Sequence, residues 1–344
     1  MFPGPTTRLS VVARGVANFQ APLQERVRVN QKHGEDSSLR SFTGKHSICL
    51  MWAMGLLFCA GQMAAQSTGT SGTPPKEDKK EERGITLYEA FEGSTNTDGQ
   101  VMDLNTTAGY IFNRHFSWDA GLPVFFLNGT TTTGAKTTSN GIGDAYTDFR
   151  LTFNNPAVHY VTALSGSVPT GDSSKGRSTG RATVNWGNSF SREFDKWTPF
   201  ANINVGNSLY NTGYFRRPFL TLGKVATFEA GTAYDLGHSF SVSASAYDVA
   251  PWGTQKVFSR VVSRSSVGGP GGSVRHGRVF ETSAETTGGA SLVRDNGFNG
   301  ALDFNPSPMV DFEVAYSRSV HYQLNTFSFG VGVNLSRLVS GRQY

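Results

Sequence analysis

Asp144, Asp148 and Arg150 stand at even spacing in "GIGDAYTDFRLTF", and Asp311 and Glu313 do so in "VDFEVAYS". Even spacing puts such residues on one face of a β-strand. Charges sharing a face can line a constriction and set which ions or solutes pass. They can equally pair across an interior and hold it together. Hydrolytic chemistry would need a histidine beside a serine or a carboxylate. His159 and His321 are the histidines expected within strands, with Ser165 and Asp311 the companions to consider. No spacing links them, and no nucleophile motif surrounds any serine. "VPTGDSSKGRSTGR" is glycine-rich but lacks Gly-Lys followed by Ser or Thr, and no helical pattern follows, so it reads as a solvated loop and not a phosphate cradle. No metal, nucleotide or other cofactor is expected.

The elements that must hold these residues alternate strictly. Phe149, Leu151 and Phe153 oppose Asp148, Arg150 and Thr152; Phe327, Phe329, Val331, Val333 and Leu335 oppose Ser328, Gly330, Gly332 and Asn334. In "SFSVSASAYD", Phe240, Val242, Ala244 and Ala246 oppose four serines, Ser239 to Ser245. Twelve such segments are expected, near 85–92, 101–113, 116–127, 142–153, 157–168, 182–191, 198–205, 219–234, 239–249, 297–304, 310–319 and 326–338. Tight connections such as 113–115, 154–156 and 235–238 alternate with longer ones such as 128–141, 169–181 and above all 250–296. Short and long connections alternate when one rim of an up-and-down barrel faces the periplasm and the other the outside. A soluble barrel of this size would need an apolar interior, whereas here the second face is Asp, Arg, Ser, Asn and Gly. The expected fold is therefore all-β: an antiparallel up-and-down transmembrane β-barrel of about twelve strands with an apolar exterior. Trp118, Phe190, Phe194, Trp197, Tyr247 and Trp252, near expected strand ends, suit interfacial girdles. The longest apolar run after residue 84, Ala120 to Leu127, is eight residues and contains Pro123, too short for a membrane helix.

The net charge of +5 points first to nucleic acid, until it is divided along the chain. Residues 1–65 hold seven Lys/Arg against three Asp/Glu, and the rest holds 24 against 23, so nucleic-acid binding loses its support. Both cysteines, Cys49 and Cys59, lie in the same leader, which leaves the remainder without a thiol. Arg40, Lys45 and His46, then an apolar run from Ile48 to Gly61, then Ala64-Ala65, follow the order of a secretory signal peptide. A lipoprotein cysteine at Cys59 is disfavoured by the bulk of Phe58. Residues 1–65 are thus expected to be an N-terminal extension and cleaved signal peptide, 66–84 a flexible polar linker, and 85–344 the barrel.

"GIGDAYTDFRLTF", "YVTALSGSVPTGD" with "SSKGRSTGR", and "FEAGTAYDLGHSFSVSASAY" together resemble a bacterial family described as the outer-membrane protein of the meta-pathway of phenol degradation. The matching motifs are Gly141, Gly143 and Asp144 at a strand start and Pro169, Thr170, Gly171 and Asp172 entering an external loop. The resemblance covers roughly residues 142–247; the long 250–296 insert and the Gln343-Tyr344 ending depart from it. It implies an outer-membrane, porin-like channel for passive uptake of small solutes, aromatic or hydrophobic ones included, with lipid and glycolipid around it. Asp144, Asp148, Arg150, Asp311 and Glu313 are the expected lumen-lining residues. Two other classes stand beside this one. The first is a structural or adhesive barrel whose Arg260, Arg264, Arg275 and Arg278 loop binds glycolipid phosphates. The second is an outer-membrane hydrolase. The flexible 250–296 loop is expected to fold back and narrow the mouth.

Overall fold

Alternation at period two over most of the chain leaves the backbone one economical way to satisfy its hydrogen bonds in lipid, a sheet closed on itself. The computed structural model describes residues 83–130, 136–155, 157–209, 216–262, 278–307 and 309–336. The leader and most of the linker fall outside them. In chain order the strands are β1 (Gly84–Asn96), β2 (Gly99–Ile111), β3 (Phe116–Thr130), β4 (Lys136–Ile142), β5 (Ala145–Asn154), β6 (His159–Val168), β7 (Thr183–Ser191) and β8 (Trp197–Gly206). They continue with β9 (Phe219–Leu222), β10 (Val225–Gly237), β11 (Phe240–Pro251), β12 (Gln255–Ser259), β13 (Glu285–Gly288), β14 (Asp295–Ser307), β15 (Val310–Ser319) and β16 (Leu324–Asn334).

Each barrel strand pairs antiparallel with its neighbours, and β1 closes the ring on β16, from Tyr88 opposite Asn334 to Asn96 opposite Thr326. β4 and β5 both pair with β3 and together make one wall strand broken at Gly143-Asp144. The closed barrel therefore has twelve strands. β9, β12 and β13 form a separate three-stranded sheet from the two longest loops. The expected strand over 219–234 is thus divided. Gly223, with φ of +153°, turns the chain out of the loop sheet before Val225 begins the barrel strand. No side-chain pattern marks that break, because Phe219-Leu220-Thr221-Leu222 is apolar enough to continue into the wall strand that follows it.

The exterior is apolar. Trp186, Val314 and Phe327 are more than half exposed, at 53%, 59% and 58%. The opposite face of the same sheet buries Asp103, Ser241, Ser243, Ser245 and Ser328. Phe149, Leu151 and Phe153 point outward, toward lipid, as the alternation requires. Near the tight turns the outer face carries runs of touching rings: Phe112 on Phe116 with Tyr110 edge-on, then stacked His115, Phe153, Tyr160 and Phe190, and then stacked Phe240, Phe304 and Phe312. Trp197 leans on Tyr234 at the same end. Such a belt suits the membrane–water boundary, and the short turns beside it assign this end to the periplasm. Tyr247 does not belong to a girdle. It shares the inward phase of Ser243 and Ser245 and is buried in the lumen.

Candidate functional site

The interior of the barrel is narrowed by two loops that enter from the outer end. Their paired strands explain how. Ser259 of β12 lies opposite Phe219 of β9, and Arg260 N–H donates to the Pro218 carbonyl at 2.9 Å. Arg216, Arg217 and Arg260 are therefore carried on adjoining ends of two paired strands. An apolar cluster of Phe219, Val257, Phe280, Val293 and Leu324, flanked by Tyr322, anchors this sheet to the last hairpin of the barrel. Phe219 stacks on Phe280 at 4.8 Å between centroids, with Tyr322 edge-on to both. Full burial of each such side chain contributes ~1.5–3 kcal/mol, which suffices to hold charged ends in place.

Arg216 ion-pairs with Glu92 and donates through Nε to Asp103 at 2.8 Å, while its backbone N–H donates to Ser94 Oγ at 2.8 Å. Arg260 lies over the Phe125 ring at 4.3 Å, close enough to Asp103 and Asp144 to feel both charges. Arg217 sits 5.9 Å from the Tyr247 ring, in the field of Asp295 and Glu229. Around it the wall is knitted together. Ser245 donates to Glu229 at 2.6 Å, Asn299 to Glu229 at 3.2 Å, Ser317 to Asn299 at 2.7 Å and Ser319 to Asp295 at 2.6 Å. These linked bonds hold the side chains in place, with Glu229 Oε2 left without a hydrogen-bond partner among the described residues.

The two sequence motifs meet here. Gly141 has φ of +143°, and a Cβ there would sit 3.0 Å from Arg177 Cζ; at Gly143 it would fall 2.4 Å from the Phe125 ring. Thr170 Oγ1 accepts from Ala145 N–H at 2.8 Å and donates to the Gly143 carbonyl at 2.7 Å. Asp144 accepts from Gly171 N–H at 3.1 Å. The broken wall strand and the Pro-Thr-Gly-Asp loop thus lock one another. The loop in turn aims Arg177, whose Nη1 donates to Ser139 Oγ at 3.0 Å and to the Asn140 carbonyl at 2.7 Å.

Inside the barrel lies a cavity of 670 Å³ that runs past these groups. Among the described residues its charged lining is Glu92, Asp103, Asp119, Asp144 and Asp148 against Arg150, Arg177, Arg216 and Arg260, five carboxylates to four guanidiniums. The facing wall, from β6 to β8, is mostly Ser, Thr, Asn and Gly, with Val161, Ala163 and Val184 between and His159 at its periplasmic end. Of the residues the alternation singled out, Asp144, Asp148 and Arg150 line this cavity, and Arg150 lies 3.8 Å from Asp119. Asp311 accepts from Tyr88 Oη at 3.1 Å and Glu313 lies in the field of Arg216, both on the inward face of β15. Sequence reasoning missed Arg216, Arg217, Glu92, Asp103 and Glu229. Glu92 and Asp103 share the inward phase of Tyr88 and Asn105, which could have found them. The arginines follow no period.

The residues weighed for hydrolysis are scattered. His159 opens β6 at the periplasmic end beside Asn154, whereas His321 lies not in a strand but in the outer turn after β15, against Tyr322. In the long loop, Arg260 turns into the barrel. Arg278 pairs with Asp98 at 2.7 Å and Glu281 at 3.0 Å, and Arg264 and Arg275 lie outside the described residues. Burial and the neighbouring Asp98 push the Glu281 carboxyl up to about 7.

No protein-family model and no curated protein matches the sequence. Solved structures do resemble the fold. The chain is similar to the COG4313 outer membrane channel from Pseudomonas putida F1 at a TM-score of 0.51 and 10% identity, covering 76% of this chain and 100% of that one. The NanC porin aligns at 0.40 and 6% identity over 71% and 98% of the two chains, and the KdgM porin at 0.39 and 10% over 72% and 98%. With the apolar exterior and polar interior above, the fold is that of a twelve-stranded barrel of the bacterial outer membrane.

Proposed function

We propose that the chain is a narrow diffusion channel for small solutes, aromatic and hydrophobic ones among them, as its resemblance to the phenol meta-pathway family suggests. The observation that carries the reading is the 670 Å³ cavity inside the barrel, a size that suits small molecules. Twelve strands lie between the eight whose interior side chains fill and the sixteen that leave a wide water channel. The polar wall from β6 to β8 lets a solute exchange its water for Ser, Thr and Asn, while Phe125, Val161 and Ala163 offer apolar surface. In this reading Asp144, Asp148, Arg150, Asp311 and Glu313 set solute preference, and the two loops set the size limit. No covalent step is assigned to any residue. The leader serves export and is removed near Gln66.

Swelling of liposomes with solutes of increasing size tests this directly, on the intact chain and on one lacking residues 255–292. Small solutes should pass, and the deletion should raise the size limit only in part, because Arg216 and Arg217 come from the other loop. No permeation by either form would refute the channel and favour a structural barrel.

A further inference from the structure

A second, smaller cleft opens at the outer mouth. It measures 210 Å³ and lies between Leu127 of β3, residues 138–140 of β4, the loop bearing Lys175 and Arg177, and residues 260–262 after β12. Arg177 and Arg260 line both this cleft and the lumen cavity, so the two spaces share a wall of guanidinium groups. Among the described residues three cations line the cleft and no carboxylate does, with Asp172 beside it at 3.6 Å from Lys175. The remaining surface is aliphatic, from Leu127, Val261 and Val262, with hydroxyl and amide groups from Thr138, Ser139 and Asn140.

The two arginines are not saturated. Arg260 is 6% exposed, yet its Nε and Nη1 find no acceptor among the described residues. Arg177 spends Nη1 on Ser139 and Asn140 and has Asp172 at 3.7 Å from Nη2, while its Nε also finds none. Buried donors are nearly always bonded, so orphans in two guanidiniums that line one cleft call for an acceptor with several lone pairs. A carboxylate supplies four, in a geometry that matches the guanidinium fork. Packing holds the pair together. At Gly176, with φ of +69°, a Cβ would fall 2.5 Å from the Ser259 carbonyl, so the two loops touch backbone to backbone beside Arg260.

We propose that this cleft captures small amphiphilic organic acids, holding the carboxylate between Arg177, Arg260 and Lys175 and the aliphatic body against Leu127, Val261 and Val262. The inference rests on the channel reading for its purpose, since capture at a wall shared with the lumen loads solute at the entrance. A cleft of this size lies below the usual range for drug-sized ligands and suits a short chain or single ring.

Calorimetric titration of the full chain in a non-ionic detergent tests it, with hexanoate, 1-hexanol and formate as probes. Hexanoate should bind saturably and at least tenfold more tightly than either control. Arg177→Gln and Arg260→Gln should each weaken it tenfold or more. Lys175→Gln, at a half-exposed side chain, should weaken it several-fold without disturbing the fold. Equal binding of hexanoate and hexanol, or of hexanoate and formate, would overturn the proposal, as would hexanoate affinity unchanged in all three variants. Liposome flux of a neutral solute is measured on the same preparation. Flux without hexanoate binding refutes the acid site and leaves the channel, whereas hexanoate binding without flux upholds the site and refutes the channel.

Discussion

Replacing Arg216 with glutamine removes the central tie between the inserted loop and the wall. Arg216 neutralises Glu92 and Asp103, and its backbone N–H to Ser94 survives the change. Breaking one partner of a buried ion pair costs ~3–5 kcal/mol, and a lumen that admits water brings the figure to the lower end, ~3 kcal/mol. Every 1.4 kcal/mol is tenfold, so the docked-to-released ratio of the loop should fall by about a hundredfold. The apolar cluster around Phe219 and Phe280 remains, so release is partial. The fixed charge also changes. Five carboxylates against four guanidiniums become five against three, which doubles the net negative charge of the cavity from one to two. In planar bilayers under a potassium chloride gradient, Arg216→Gln should raise conductance and move the reversal potential toward cation preference. Adding Glu92→Gln and Asp103→Asn leaves three carboxylates against three guanidiniums and should carry the reversal potential back past the wild-type value. Conductance and reversal potential equal to wild type, in protein that still shifts on heating in semi-native gels, would refute the account of the constriction.

Two further predictions concern the loops that frame it. Glu281 is raised to about 7 by burial and Asp98, so its protonated form favours the docked loop. That stabilisation is full below the ordinary carboxyl range and is lost as pH rises through about 7. Conductance should therefore increase between pH 6 and 8, and Glu281→Gln should flatten the profile; a wild-type profile without a step there would refute the rim latch. Thr170→Val removes both hydrogen bonds to the broken wall strand, at a cost of ~1–3 kcal/mol. Hydrogen exchange should quicken at residues 141–146 and 170–178 while distant strands are unchanged.

The barrel was legible because lipid makes the alternation strict. In Asp148-Phe149-Arg150-Leu151 a one-residue slip would put charge in hydrocarbon, so pattern and register carry the same information. The constriction was legible only in outline. The length of residues 250–296 and their glycines pointed to a loop able to reach the mouth, but not to a strand pair with residues 219–222. Nothing periodic marks Arg216-Arg217 as inward, since their direction comes from the pairing of the adjacent β9 with β12, whose residues lie about forty positions further on in sequence. Phe219 to Leu222 itself reads as wall, because a buried loop sheet and a membrane strand both ask for apolar, strand-forming residues. The Gly141 and Gly143 motif showed a strand start; what it accommodates, the Phe125 ring and Arg177, appears only in three dimensions.

The tie between Arg216 and Ser94 spans 122 residues of sequence, and that between Arg278 and Asp98 spans 180. Barrel hairpins such as β10–β11 join residues that are near neighbours. Contacts between distant residues carry the larger loop-closure cost and form late. The hairpins therefore form while Glu92 and Asp103 still face water alone, and the arginine ties come later, as does the still longer-range β1–β16 seam. None of the hairpin pairings involves the loop arginines, so chains altered there should reach the outer membrane at the pace and yield of the parent.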